Sequence, residues 1–162
     1  MEKYEANLFA PQEPEIVCEK SVEYTITAKT NEFDKFSIRS PEDSEAFARR
    51  FYHDDICVYE SAFIILLNNS MKTIGWAKIA QGGLTATIVD VRLVAKFALD
   101  VLATSVIFVH NHPSGNLTPS IQDDALTQKL KEGLALLDIS LRDSLIIAPV
   151  EGYYSYNEVG KL

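Results

Sequence analysis

An α/β domain, a central sheet covered by helices, is the fold class that this 162-residue sequence predicts. Three observations carry it. Short continuous apolar runs of strand length recur along the chain, as in Val106-Ile107-Phe108-Val109 and Leu145-Ile146-Ile147. Apolar residues at helical spacing recur between them, as in Leu126, Leu130, Leu134 and Leu137. The two kinds of segment alternate along the chain instead of separating into an all-helical and an all-strand half.

Taken in order, residues 1 to about 20 are acidic and carry Pro11 and Pro14, a weakly ordered lead-in by composition. Residues 22–27, Val-Glu-Tyr-Thr-Ile-Thr, alternate and predict one strand, so residues 1–39 are expected to form an N-terminal extension. The compact domain is expected over residues 40–162, starting at Ser40-Pro41-Glu42-Asp43, where a cap, an N1 proline and dipole-matched acids open a helix that runs to about Tyr52. His53 falls at that helix's end and is expected on the surface. Residues 56–67 form an apolar strand with Glu60 as their only acid, joined by Asn68-Asn69-Ser70 to a partner over residues 73–79 in a hairpin. Gly82-Gly83 then breaks the sheet. Asp90 caps a helix whose Val94, Phe97, Ala98, Val101 and Leu102 share one core face. The leucine stripe gives another helix, and residues 145–147 a late strand.

One stretch is chemically more specific than the rest: His110-Asn111-His112-Pro113-Ser114-Gly115-Asn116-Leu117-Thr118-Pro119-Ser120-Ile121-Gln122-Asp123. His110 and His112 follow the buried run 106–109, and their i, i+2 spacing sends both imidazoles to one face of a strand. Thr118-Pro119-Ser120 starts a helix, which puts Asp123 in its first turn beside Ser120. Two neutral imidazoles and a carboxylate are a borderline metal's ligands, and three protein ligands leave a tetrahedral position open for water, the mark of a catalytic zinc site. Zinc lowers the pKa of water to about 7, so such a site also needs a base. Glu60, at the start of an apolar strand, is the candidate.

These residues resemble a known family. His-x-His, seven residues, then Ser-x-x-Asp, with a Glu upstream, is the pattern of the JAMM metalloproteases, also called the JAB or MPN domain, and His-Asn-His-Pro-Ser-Gly with Pro119-Ser120 and Asp123 is similar to the bacterial RadC branch. The resemblance runs from about Ser40 through Glu60, Gly82, Asp90-Val91-Arg92, the metal motif, Thr127 and Leu137-Asp138-Ile139 to Tyr154-Ser155. It implies a mixed sheet in the cytidine-deaminase-like JAB arrangement. It also implies zinc on His110, His112 and Asp123, Glu60 as general base and acid, and Ser120 stabilising an oxyanion. Where RadC-like chains read Asp-His late in the domain, this one reads Asp143-Ser144.

Structural readings stand beside these roles. Ser120-x-x-Asp123 also satisfies a capping box, and a Glu at a strand's start is ordinarily solvated. Asp124 is expected to face solvent, since the family spacing selects Asp123. The zincin pattern His-Glu-x-x-His is absent, as are the His-x-Glu and Pro-Cys-x-x-Cys of zinc deaminases. Consecutive His-Asn-His lacks the spread and basic surroundings of the nucleases named for those residues. Cys18 and Cys57 have no Cys-x-x-Cys spacing and are expected to be reduced thiols.

Composition bounds the partners. A net charge of −8 without a Lys/Arg cluster argues against nucleic acid. No basic leader followed by an apolar run begins the chain and no apolar stretch is long enough to span a bilayer, so a soluble cytoplasmic protein without membrane contact is expected. With the resemblance, the sequence predicts a zinc-dependent hydrolase of the JAMM type, and the resemblance implies a peptide or isopeptide substrate. A DNA-processing factor of the kind the RadC name implies, and a catalytically silent interaction module, are the alternatives from other classes.

Overall fold

The structure, a computed structural model, describes residues 35–82 and 89–162. The strand predicted over residues 22–27, Cys18 and Gly83 lie outside the described residues. Among them run α1 (Pro41–Ala48), β1 (Ser61–Leu67), β2 (Thr73–Gln81), α2 (Val91–Asp100), β3 (Ser105–Asn111), α3 (Ile121–Ala135), β4 (Ser140–Ile147) and β5 (Tyr153–Ser155). The sheet has the order β2-β1-β3-β4-β5, and it is mixed: β3 and β4 are parallel while every other neighbouring pair is antiparallel. The predicted α/β class with a central mixed sheet is what the chain adopts.

Both faces of the central strands are covered, which is why β1 and β3 read as unbroken apolar runs instead of alternating. On one face, α2 and α3 bring Val94, Ala98, Leu130 and Leu134 against Ala62, Ile64, Leu66, Val106 and Phe108. On the other, Phe47 and Ala48 of α1 pack with Ile65, Leu67, Ile107, Val109, Leu145 and Ile147. The backbone of residues 36–38 also joins this body: Thr73 N–H donates to Phe36 O, Ile38 N–H donates to Met71 O, and Ser37 bridges Lys72.

Three stretches differ from the sequence reading. Residues 56–59 are not strand: a 3-10 turn over Asp54–Cys57 precedes β1, and Val58 and Tyr59 are exposed. Their backbone carbonyls are taken by a side chain, described below, rather than by a ladder. Val101 and Leu102 are exposed, because α2 stops at Asp100 and Leu102 turns left-handed at φ 52°. The Ala103 N–H then reaches back to Ala98 O, and Ala103 is buried instead. Leu137 is exposed for the same reason: Asp138 sits at φ 57°, Ile139 N–H bonds Leu134 O, and Ile139 takes the buried place. Both helices thus end in six-to-one closures built on non-glycine residues, which composition does not announce. His53 is exposed, as is the free thiol of Cys57. Among the described residues no helix is long and apolar enough to cross a membrane.

Candidate metal centre

The site forms where β3 ends and α3 begins. Antiparallel pairing with β1 and parallel pairing with β4 hold His110 opposite Ala62 and Ile146, and His112 N–H continues the ladder to Ile147 O. Two-residue alternation puts both imidazoles on the α3 side. The chain then turns through Gly115, whose φ of 77° suits a residue without Cβ, and Gly115 N–H closes on His112 O. This turn brings Asn116 O to 2.6 Å from His112 Nδ1. The carbonyl can only accept, so Nδ1 carries a proton, and Nε2 is left to face the site, as a lone pair in the neutral ring or as a donor to Asp123 when the ring is protonated.

Helix α3 supplies the carboxylate. Ser120 is its N-cap: Asp123 N–H donates to Ser120 Oγ, and Asp123 Oδ2 accepts from Ser120 N–H at 2.7 Å and from Ser120 Oγ–H at 2.6 Å. With its orientation fixed this way, Asp123 places Oδ1 3.1 Å from His110 Nε2 and Oδ2 3.6 Å from His112 Nε2. The two Nε2 atoms are 3.2 Å apart. One ligand atom from each of the three residues lies within 4.8 Å of the others.

Burial alone would raise the Asp123 carboxyl, but hydrogen bonds from His110, His112 and Ser120 outweigh it and hold the group well below the usual carboxylate range. The same hydrogen bond to Asp123 raises His112 above an ordinary imidazole, against the opposing effect of burial. Groups that aim lone pairs at one point are stabilised by a cation among them, proton or metal. The donor set, two imidazole nitrogens and a carboxylate oxygen, fits zinc. His110 is 3 % exposed and its Nδ1 has no hydrogen-bond partner among the described residues, so packing beneath Phe108 and between strands orients that ring.

These residues line a cavity of about 440 Å3 whose lining is part polar and part apolar. Glu60, His110, His112, Ser120, Gln122 and Asp123 are the polar lining residues, and Ala62, Val89, Phe108 and Leu126 the apolar ones. Every site residue named from the sequence therefore borders one space. Glu60 is partly buried just before β1, and its carbonyl accepts from Gly82 N–H at 2.8 Å. The Ser120 hydroxyl proton is committed to Asp123, so it orients that carboxylate. Asp124 faces solvent, as expected, and also anchors the chain's end by accepting from Tyr156 OH at 2.8 Å and Lys161 Nζ at 3.2 Å.

Ser144, the departure from the RadC-like pattern, is fully buried and shares a 2.9 Å hydrogen bond with Thr127 Oγ1 of α3. It pairs with Phe108, beneath the site, and is not among the residues bordering the cavity. The sequence reading assigned no role to Asn116, whose carbonyl takes the His112 Nδ1 proton, or to Asn111, which lies between the two histidines. A fully buried amide inside an apolar strand was the available signal for Asn111.

Comparison with known proteins bears on the family of the chain. A protein of Flavobacterium johnsoniae named UPF0758 protein is 45% identical over 102 residues, covering 63% of this chain and 44% of its own length. Its namesake in Porphyromonas gingivalis is 41% identical over 103 residues, covering 64% of this chain and 45% of its own. The chain thus spans less than half the length of these two relatives. Residues 38–161 match the family described as RadC-like JAB domain, and the chain belongs to that family.

Proposed function

We propose that this domain is a zinc-dependent hydrolase that cleaves an amide or isopeptide bond. The observation that carries the reading is the convergence of His110, His112 and Asp123 donor atoms within 4.8 Å on the wall of a cavity that Glu60 also borders. Bound zinc supplies Lewis acidity, which makes water a nucleophile near neutral pH and polarises a carbonyl. The remaining work belongs to the chain. Glu60 takes the proton from the attacking water and returns it to the leaving amine, one carboxylate acting first as base and then as acid. Ser120 turns its hydroxyl from Asp123 to the oxyanion as negative charge develops there. The apolar lining residues Ala62, Val89, Phe108 and Leu126 receive an uncharged substrate segment and limit water at the reacting bond.

Glu60→Gln tests this, since it keeps the side chain's shape and removes its proton-accepting charge. Zinc should stay at about one per chain while cleavage of a peptide and isopeptide panel falls roughly a hundredfold or more. Equal cleavage by the variant removes Glu60 from the mechanism, and a wild type that cleaves nothing favours the silent-module reading.

A nucleic-acid substrate is the second reading. The feature on its side is a larger groove, about 1130 Å3, bordered by Arg39, Lys72, Lys131 and Arg142. That groove shares no lining residue with the metal cavity, and the chain's net charge is −8. A gel-shift titration over a salt series should therefore show little binding to duplex or single strands near physiological salt. Metal-dependent nicking lost in Glu60→Gln would reverse the ranking.

A further inference from the structure

His110 and His112 turn their side chains toward α3, so the residue between them turns the other way. That residue, Asn111, is 0 % exposed. Its amide is nearly saturated: Oδ1 accepts from Ser61 N–H at 2.8 Å, and Nδ2 donates to Ile56 O at 2.8 Å and to Tyr59 O at 2.9 Å. Two of these backbone groups belong to the residues on either side of Glu60.

The register explains how one side chain comes to hold that segment. Ala62 opposes His110 in the antiparallel pair of β1 and β3, so Ser61 falls next to Asn111. There the Ser61 N–H leaves the backbone ladder and turns to the Asn111 carboxamide. The chain preceding it curls into the 3-10 turn of Asp54–Cys57, whose Ile56 carbonyl and the following Tyr59 carbonyl converge on the same amide. On its far side the Glu60 carbonyl is held by Gly82 N–H at 2.8 Å. The backbone carrying Glu60 is thereby tied by one side chain to the backbone step between two metal ligands.

We propose that Asn111 is a positioning residue that fixes Glu60 relative to the metal ligands, an inference that rests on the hydrolase reading above. The chemistry requires an amide of this length. The site needs one acceptor for Ser61 N–H and one donor group able to serve two carbonyls, a combination that Asn provides and Asp does not. In Asn111→Asp an ionised oxygen would face the carbonyls of Ile56 and Tyr59, and the segment would shift to separate them. His110, His112 and Asp123 keep their own supports, so zinc content should not change.

The test pairs activity with a readout that needs no substrate. Asn111→Asp should retain about one zinc per chain and lower kcat roughly tenfold to a hundredfold, a partial loss of what a positioned general base contributes. KM should stay near wild type, and the acidic limb of the kcat/KM profile should move. In the Glu60→Gln background the same substitution should change kcat little, because a residue that acts through Glu60 has nothing left to position. Additive losses would mean a merely structural role and overturn the proposal. Hydrogen exchange supplies the independent arm: in Asn111→Leu, which removes the acceptor for Ser61 N–H, the Ser61 amide should exchange faster while residues 106–109 stay protected. If wild type cleaves no substrate, the hydrolase reading fails, and exchange alone judges the clamp. Unchanged Ser61 exchange overturns it. Asn111→Ser, which keeps a short hydroxyl, replaces Asn111→Asp in every arm if the latter does not fold.

Discussion

The same four-letter pattern, Ser-x-x-Asp, opens two helices of this molecule and does different work in each. At α1, Ser40 caps and Asp43 reaches back; at α3, Ser120 caps and Asp123 reaches back. Both are complete capping boxes. The Asp43 carboxylate takes its hydrogen bonds from the backbone N–H groups of Arg39 and Ser40, at 2.8 and 3.2 Å. Asp123 takes the equivalent bond from Ser120 N–H, adds the Ser120 hydroxyl, and faces two imidazole nitrogens. The cap is therefore not an alternative to the metal site. It is the device that holds Asp123 still, and what differs is the strand end placed across from it. The capping reading of Ser120-x-x-Asp123 is what the structure shows, and it leaves Asp123 Oδ1 toward His110 while Oδ2 serves the cap and faces His112, so the cap and the proposed ligand role are compatible.

The largest expected difference follows from removing each carboxylate. Asp123→Ala should bring bound zinc from about one per chain to near zero, since it deletes one of three ligands. Asp43→Ala should leave zinc unchanged and cost about 1 kcal/mol of stability from the lost half of a capping box. Metal analysis of tag-free protein with parallel denaturant melts measures both. Zinc retained in Asp123→Ala would break the comparison, because the two boxes would then be equivalent.

The convergence of His110, His112 and Asp123 was legible in the sequence because each position rests on a local regularity: two-residue alternation at a strand's end, and three-residue reach across a helix's first turn. Buried strands were legible because double coverage makes them continuously apolar. What escaped depends on partners far away in the chain. Asn111 meets Ser61, Tyr59 and Ile56 across 50, 52 and 55 residues, and nothing local to 110–112 encodes that meeting. Residues 56–59 were misread for the same reason, since their apolar letters say strand while Asn111 occupies two of their carbonyls. The ends of α2 and α3 escaped because Leu102 and Asp138 adopt positive φ without being glycine.

A third aspartate sharpens the contrast. Asp143 is 4 % exposed and accepts from Ser155 Oγ–H at 2.6 Å and from the N–H groups of Ser144 and Asn157 at 2.7 and 3.1 Å. Burial raises its carboxyl above the ordinary range, and these hydrogen bonds recover only part of that. It is a carboxylate with neutral donors and no imidazole, and it is expected to hold the C-terminal segment to β4 rather than to bind metal. Asp143→Ala, which strands three donors, should cost about 3 kcal/mol with zinc unaffected. Asp143→Asn reads the pH dependence. Between the unfolded value near 3.9 and the raised folded value, the native state holds the proton more tightly, so this group's contribution to stability falls as pH rises across that window. Wild type should therefore gain on Asp143→Asn as pH falls from neutral, and parallel urea melts at several pH values would show the gap moving. A gap that stays constant would mean that the Asp143 carboxyl is not raised.

The smallest effects belong to the two caps themselves. Ser40→Ala and Ser120→Ala each remove the acceptor for an N–H at the third helical position, and each should cost about 1 kcal/mol. Their stability losses should nearly match. The difference lies in the second bond: Ser40 donates its hydroxyl proton to nothing on Asp43, whereas the Ser120 proton sits on Asp123 Oδ2. Ser120→Ala should thus also weaken zinc binding, by roughly tenfold, as loss of a bond that orients a metal ligand does. Ser120→Thr keeps the hydroxyl and should restore both quantities. Competition with a zinc chelator, run on both alanine variants at equal folded fraction, measures the separation. Equal zinc affinity in the two would show that the hydroxyl proton on Asp123 contributes nothing to the metal, and would leave Ser120 as a cap alone.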